Sequence, residues 1–245
     1  MTAERTLATA ARVLAQLRRD PRTLALLLVV PSVLLTLLKY VFEGSPQTFD
    51  RLGGPMLGLF PFVSMFLVTS IAMLRERTSG TLERLMASPI AKGDLLCGYG
   101  LAFGAVAAVQ ALATGAVTFG ALGLEVAGSA ALVLALAVAN AVLGMALGLF
   151  LSAFASTEFQ AVQFMPAFVL PQLLLCGLFV PREDMADALD VLAGALPLTY
   201  AFDALERATT DSSWSSALTL DVCVLAGAVA LALGLGAATL RRRTP

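Results

Sequence analysis

The sequence predicts an all-α integral membrane protein, and three observations carry this prediction. Of the 245 residues, 58% are hydrophobic and 13% are charged, whereas about a quarter of the residues in a soluble domain are charged. The mean hydropathy is +0.86. Six apolar runs reach the roughly 20 residues that a helix needs to cross a bilayer; they lie near 24–42, 56–74, 96–121, 130–152, 161–180 and 217–240.

Helices fit these runs better than the strands of a transmembrane barrel. Residues 131–151 read ALVLALAVANAVLGMALGLFL and are apolar on every side. A barrel strand would alternate between apolar and polar residues. A helix also satisfies its backbone hydrogen bonds within the segment, as a lipid environment demands.

The basic residues predict that both termini are cytoplasmic. Six spans place the termini on one side, and four basic residues (Lys39, Arg51, Arg182, Arg207) lie at or beyond the opposite boundary. Positive charge favours the cytoplasmic side. The predicted inner segments contain twelve Lys and Arg residues: Arg5, Arg12, Arg18, Arg19, Arg22, Arg75, Arg77, Arg84, Lys92, Arg241, Arg242 and Arg243.

The stretch before the first span predicts a helix on the inner membrane surface. In RTLATAARVLAQLRRD, residues 5–20, Leu and Ala recur at helical spacing and Arg occupies the other side. Asp20 and Pro21 end this helix. The following run is long enough to span and lacks a small-residue cleavage site, so we expect an uncleaved first span. The apolar positions are Leu7, Ala10, Ala11, Leu14 and Leu17.

Residues for independent chemistry are missing from the sequence. The chain contains no histidine, the commonest general base, and no Gly-Lys pair, so a phosphate-binding P-loop is absent. The three cysteines lie in or beside separate spans, and this separation argues against a disulfide and against a zinc site. We therefore predict no catalytic residue, no metal site and no enzymatic activity on this chain, and an energy source elsewhere.

A charged segment between the second and third predicted spans stands out. After RERTSG, residues 75–80, the stretch 81–88 can form two helical turns before Pro89 stops them. Leu82, Leu85 and Met86 give this helix a narrow apolar side. Two interpretations follow: the helix lies on the lipid surface, or its apolar side enters a groove on a partner protein.

The same segment resembles the signature of the membrane subunits of type 2 ABC exporters, the ABC-2 permease family. That signature reads E-R-E-x-G-T-L-E-x-L-x-x-[ST]-P, and Ser79 is an extra residue here. In the family this element is a coupling helix that docks on a separate nucleotide-binding subunit, so the resemblance implies a partner ATPase that holds ATP and Mg. The implied docking residues are Glu76, Gly80, Thr81, Leu82, Glu83, Leu85, Met86 and Pro89.

A second stretch, residues 171–206, is similar to the family's fifth span and the segment after it. Gly177, Pro181, Pro197, Tyr200 and Asp203 carry this similarity, together with Thr199. The resemblance implies short helices over 182–210, extracellular or re-entrant into the outer leaflet. An ordinary outer loop with surface helices is an equal alternative from the residues alone.

Small and polar residues in the spans predict packing and a candidate path. Three small-residue motifs, at Gly54 and Gly58, Gly100 and Gly104, and Gly144 and Gly148, favour close helix packing within the chain. Polar and aromatic side chains at membrane depth are candidates for lining a substrate path, although hydrogen bonds between helices also explain the polar ones. The path candidates are Thr69, Gln110, Asn140, Gln163, Phe164 and Gln172.

Taken together, these features predict one transmembrane domain over 1–245 in a bacterial inner membrane. The resemblance implies a homodimer or heterodimer of permeases, powered by a separate ABC ATPase and without a nucleic-acid partner. Drug-like, lipid-like or glycan-precursor molecules are the expected cargo. The alternative is a self-sufficient carrier or channel that transports without any ATPase.

Overall fold

A computed structural model describes residues 3–87 and 92–239, without the side chains of Glu83, Met86, Ala87 and Lys92. Across these residues the regular structure is helical and contains no strand, as the sequence predicts. The helices are α1 (Ala3–Arg18), α2 (Pro21–Val41), α3 (Pro46–Thr78), α4 (Thr81–Ala87), α5 (Lys92–Ala116), α6 (Ala130–Leu151), α7 (Glu158–Leu175), α8 (Asp187–Gly194), α9 (Pro197–Thr210) and α10 (Ser216–Thr239).

Each of the six apolar runs forms a helix, and five of these helices are long and apolar enough to cross a bilayer. They are α2, α3, α5 with its π-helical end at Val117–Ala121, α6 with a short 3-10 turn, and α10. The fifth predicted run becomes α7, which has 18 residues and contains Pro166 and Pro171. Its polar and proline residues leave it outside this group of five. The bent pair α8 and α9 raises the count to six if the pair is taken as one span.

Helix α3 lies at the centre of the bundle and contacts α2, α5, α6, α7 and α9. Glycines permit its closest approaches. Gly144 and Gly148 of α6 lie against the backbone carbonyls of Phe62 and Phe66. Gly58 lies against the side chains of Asn140 and Leu205, which confirms the predicted packing at these two motifs. The prediction is wrong for Gly100 and Gly104, because both face open space.

Helix α1 packs against the first turns of α5, where Gly98 contacts Thr9. Ala10 and Val13 are buried in this contact and Leu17 packs beside it, so the bundle covers part of the stripe that the sequence assigns to the membrane surface. Leu7 and Leu14 remain exposed. Asp20 then caps α2 by accepting a hydrogen bond from the backbone N–H of Thr23 at 3.2 Å.

Helices α8 and α9 meet at 87° and form an elbow. Helix α9 lies along the first half of α3, with Thr209 against Gly54 and Leu205 against Gly58. Its other end, Pro197, is about 20 Å further along at 1.5 Å per residue and therefore lies at the depth of the bundle interior. Within 182–210 the structure thus contains α8 and α9, and α9 packs against α3.

Candidate functional site

The turn between α3 and α4 contains Gly80. This residue has φ +70°, in the left-handed region that glycine adopts without steric cost. The backbone N–H of Ser79 donates to Arg75 O at 2.9 Å and closes α3. The carbonyl of Gly80 accepts from the N–H of Arg84 at 3.1 Å and opens α4. Gly80 therefore ends one helix and begins the next with no intervening loop.

The apolar side of α4 faces the chain itself. Leu82 is 4% exposed and packs in a cluster with Val13 of α1 and Tyr99 of α5, and Leu85 packs against the same cluster. These two leucines fix α4 on the bundle, so the face left for a partner is the opposite one. On that face Arg84 is exposed. The side chains of Glu83 and Met86, and all of Pro89, lie outside the described residues.

Glu76, a predicted docking residue, also points inward. Its carboxylate lies 3.1 Å from the guanidinium of Arg12, and its side chain is 12% exposed. The same guanidinium donates to Tyr99 Oη at 2.6 Å and lies 5.7 Å from the centre of the Tyr99 ring. Arg12 thereby joins α1, α3 and α5 at the point where α4 begins. We call Arg12, Glu76 and Tyr99 the junction.

A cleft of about 290 Å³ opens beside the junction. Ser79 and Thr81 line it next to the start of α4, and their hydroxyls lie 3.0 Å apart. Arg75 lines it as well and reaches Glu158 of α7 at 2.7 Å. The helices α1, α3, α5 and α7 are therefore linked by side chains that lie within about two turns of the start of α4.

The sequence alone gave no sign of Arg12 or Tyr99 as members of this site. They are 64 and 23 positions from Glu76, and no local spacing relates them to it. The one local peculiarity is that Arg12 lies alone in the middle of α1, whereas Arg5 and Arg18 lie near its ends.

The six candidate path residues fall into two groups: three are buried between helices, and three lie on α7. Thr69 is fully buried and its hydroxyl donates to the carbonyls of Met65 at 2.7 Å and of Met145 on α6 at 3.2 Å. Asn140 is 1% exposed, between α3 and α9. Gln110 is fully buried on α5, and neither atom of its amide has a hydrogen-bond partner among the described residues. These three side chains belong to helix packing in this structure.

The remaining path candidates lie on α7. Gln172 joins α7 to the elbow, since its amide donates to Phe168 O at 2.9 Å and accepts from the N–H of Leu198 at 3.4 Å. Gln163 is exposed, and Phe164 is half-buried with its ring edge-on to Phe168. The exposed side of α7 is therefore the surface on which a path remains a prediction.

Arg182 holds the two arms of the elbow. Its guanidinium lies 2.7 Å from Asp190 of α8 and 3.9 Å from Asp203 of α9. Two hydroxyls close the bend between the arms: Thr199 Oγ1 donates to Ala193 O and Tyr200 Oη donates to Gly194 O, each at 2.8 Å. Thr199, Tyr200 and Asp203 all belong to the second motif, whereas the bridging role of Arg182 was not foreseen.

These features define a helical, multi-pass membrane protein with a short helix fixed at one end of the bundle. The chain belongs to the ABC-2 type transporter family, whose family model matches residues 4–208. Members of this family are the membrane permease components of ATP-binding cassette transporters.

Curated relatives agree with this assignment. The chain is similar to the probable multidrug ABC transporter permease YbhR of Escherichia coli K12 and O157:H7, with 29% identity over 166 residues, or 66% of this chain and 45% of the relative. It is also similar to ABC transporter G family member 20 of Dictyostelium discoideum, with 25% identity over 164 residues, or 66% of this chain and 22% of the relative. The matched part is thus less than half of each relative.

Proposed function

We propose that this chain is the permease subunit of an ABC exporter, with six spans and cytoplasmic termini, and that a separate ATPase drives it by docking at α4. The family supports a transport role in such a system. The observation that carries the docking proposal is the junction. Arg12 contacts Glu76 at 3.1 Å and Tyr99 at 2.6 Å immediately beside α4.

The junction gives a physical route for the movement. Leu82 anchors α4 in the cluster that α1 and α5 share, and Gly80 connects it directly to α3. A displacement of α4 would therefore act on three helices at once. The pair of Arg75 and Glu158 would pass the displacement on to the first turn of α7. The other end of α7 contacts the elbow through Gln172.

The docking surface in this proposal differs from the one that the sequence suggests. Leu82 and Leu85 seat α4 on its own chain, and the exposed face with Arg84 receives the ATPase. Glu76 transmits the movement from inside the junction and does not touch the partner. The ATPase supplies ATP and Mg, and two permease chains, identical or different, enclose the path.

The cargo in this proposal is amphipathic or lipophilic. The accessible side of α7 combines the amide of Gln163 with the aromatic rings of Phe164 and Phe168. Such a surface suits drug-like or lipid-like molecules, including lipid-linked glycan precursors, better than a bare ion. The name of the Escherichia coli relatives, a probable multidrug permease, agrees with this choice. A bacterial inner membrane is the corresponding location.

A detergent pull-down of the tagged chain tests the proposal. We expect the native chain to recover an ATPase with Walker motifs, and Arg84→Glu to lose it while keeping the native melting temperature. Leu82→Asp should lower both the ATPase recovery and the melting temperature, because a carboxylate would replace a buried leucine. Arg51→Glu, at the other end of α3, is the matched control and should bind normally.

Two results would contradict the proposal. One is normal ATPase recovery with Arg84→Glu. The other is transport by the purified native chain in proteoliposomes without any ATPase, which would favour the self-sufficient carrier.

A further inference from the structure

One side of α1 is exposed and, among the described residues, takes no part in the packing against the bundle or in the junction. Thr6, Thr9, Ala10 and Val13 are buried against the bundle. A second side carries Leu7, Ala11 and Leu14, which are all exposed, with Leu7 at 61% and Leu14 at 38%. At 3.6 residues per turn, positions 7, 11, 14 and 18 fall within an arc of about 60°. We call these four positions the outer stripe of α1.

The outer stripe ends in positive charge. Arg18 is its last member, and Arg22 follows in the first turn of α2; both side chains are exposed. In the part of the chain that the structure describes, no carboxylate forms an ion pair with either of them. The stem of Arg18 can lie along apolar surface while its guanidinium reaches polar groups.

Asp20, which lies between the two arginines in sequence, is engaged elsewhere. Its carboxylate accepts from Thr23 Oγ1 at 2.6 Å and from the Thr23 backbone N–H at 3.2 Å. These hydrogen bonds hold the pKa of Asp20 below its ordinary value. The carboxylate is thus committed to the cap of α2, and the guanidinium groups of Arg18 and Arg22 are left for an external anion.

The first candidate membrane span, α2, begins at Pro21. Helix α2 exposes Leu26 at 63% and Val29 at 55%, one and two turns beyond Arg22. Arg18 and Arg22 thus lie in sequence between two exposed apolar surfaces, the outer stripe and the first turns of α2. Two cations flanked by apolar surface match the phosphate groups and acyl chains of a leaflet.

We propose that the outer stripe of α1 is a binding site for an anionic phospholipid of the adjacent leaflet. Leu7, Ala11 and Leu14 contact the upper acyl chain, and Arg18 and Arg22 bind the headgroup phosphate. The same helix carries Arg12 of the junction, so the bound lipid contacts the element that connects α3 to α5. This site requires no ATPase and is independent of how the transporter is energised.

Fluorescence quenching by brominated lipids tests the site on the full chain. Trp214 is the single tryptophan, so Trp214→Phe with Leu14→Trp places one reporter on the stripe. Proteoliposomes would contain brominated phosphatidylglycerol or brominated phosphatidylcholine at equal mole fraction. We expect brominated phosphatidylglycerol to quench the fluorescence of the reporter more strongly than brominated phosphatidylcholine. Arg18→Gln and Arg22→Gln should each lower the enrichment of phosphatidylglycerol at the reporter by about fivefold.

Arg19→Gln is the matched control, because position 19 lies about 100° from Arg18 around the helix. It removes the same charge and should leave the preference intact. Equal quenching by both lipids, a preference that survives loss of Arg18 and Arg22, or an equal loss in Arg19→Gln would each overturn the site. Absence of quenching by either lipid would show that the stripe does not contact the bilayer and would also overturn it.

Discussion

The guanidinium of Arg12 lies 3.1 Å from the carboxylate of Glu76, although 64 residues separate them in the sequence. The pair is largely shielded, with side-chain exposures of 29% and 12%. It fastens α1 to the last turns of the central helix α3, shortly before the chain turns into α4. A movement of α4 cannot leave α1 behind while this pair is intact.

The Arg12–Glu76 pair should contribute to stability in a double-mutant cycle with Arg12→Gln and Glu76→Gln. We expect a coupling free energy of about 1–2 kcal/mol, because both groups are partly withdrawn from water and hydrogen-bonded. Unfolding in detergent micelles measures it. The control cycle uses Arg75→Gln and Glu158→Gln, whose side chains are 61% and 52% exposed, and should give less than about 0.5 kcal/mol. Equal coupling in the two cycles would refute the special role of the junction.

Gly148→Ala should destabilise the contact between α3 and α6. Its Cβ would meet the backbone carbonyl of Phe66 and the hydroxyl of Thr69, and backbone has little freedom to move away. We expect a loss of about 1–3 kcal/mol in the free energy of unfolding. Gly104→Ala is the control, because no atom lies near its Cβ position. It should be neutral or stabilising by up to about 1 kcal/mol. Similar effects of the two changes would argue against the close α3–α6 packing.

Two buried glutamines should respond oppositely to leucine. Gln110 is fully buried and its amide atoms have no partner among the described residues, so Gln110→Leu removes a desolvated polar group and should be neutral or stabilising. Gln172→Leu breaks the links to Phe168 and Leu198 and should cost about 1–3 kcal/mol. Thermal unfolding of the two variants in one detergent is the comparison. A large loss in Gln110→Leu would mean that this amide has a ligand or water that stabilises the fold.

The orientation of the bundle is testable with single cysteines in a background where Cys97, Cys176 and Cys223 are replaced by alanine. Ser213, exposed between α9 and α10, should react as Ser213→Cys with an impermeant maleimide in intact cells. Gln16→Cys, exposed on α1, should react only after the membrane is permeabilised. External labelling at position 16 would reverse the predicted topology.

Much of the fold follows from local pattern, and the departures have physical causes. Hydropathy places the spans within a few residues, except for α3, which begins at Pro46 and not near 56. Its additional turns carry Asp50 and Arg51, and Gly54 in these turns packs against Thr209 of α9. Only the folded chain supplies that partner. Pro55 and Pro61 lie inside this helix, as membrane helices allow where neighbouring helices support the backbone.

The docking residues at α4 stay a prediction, and the structure adds which side of this helix faces the bundle. The spacing of Leu82 and Leu85 predicts an amphipathic α4, and the helix is present. An apolar stripe does not specify what covers it, and here the covering residues come from α1 and α5. Likewise, the polar character of Thr69 and Gln110 is visible in the sequence, but their burial depends on helices that contact them from elsewhere in the chain.

The most direct test of the central claim is site-specific photocrosslinking at Arg84 in native membranes. A benzophenone amino acid at position 84 should yield an adduct that mass spectrometry identifies as an ATPase with Walker motifs. The same amino acid at Ser213, which the proposed topology places on the opposite side of the membrane, should not. An ATPase adduct at position 84 and not at position 213 would establish that the exposed face of α4 contacts the ATPase. No ATPase adduct at 84 in a chain that still transports its cargo would contradict the account.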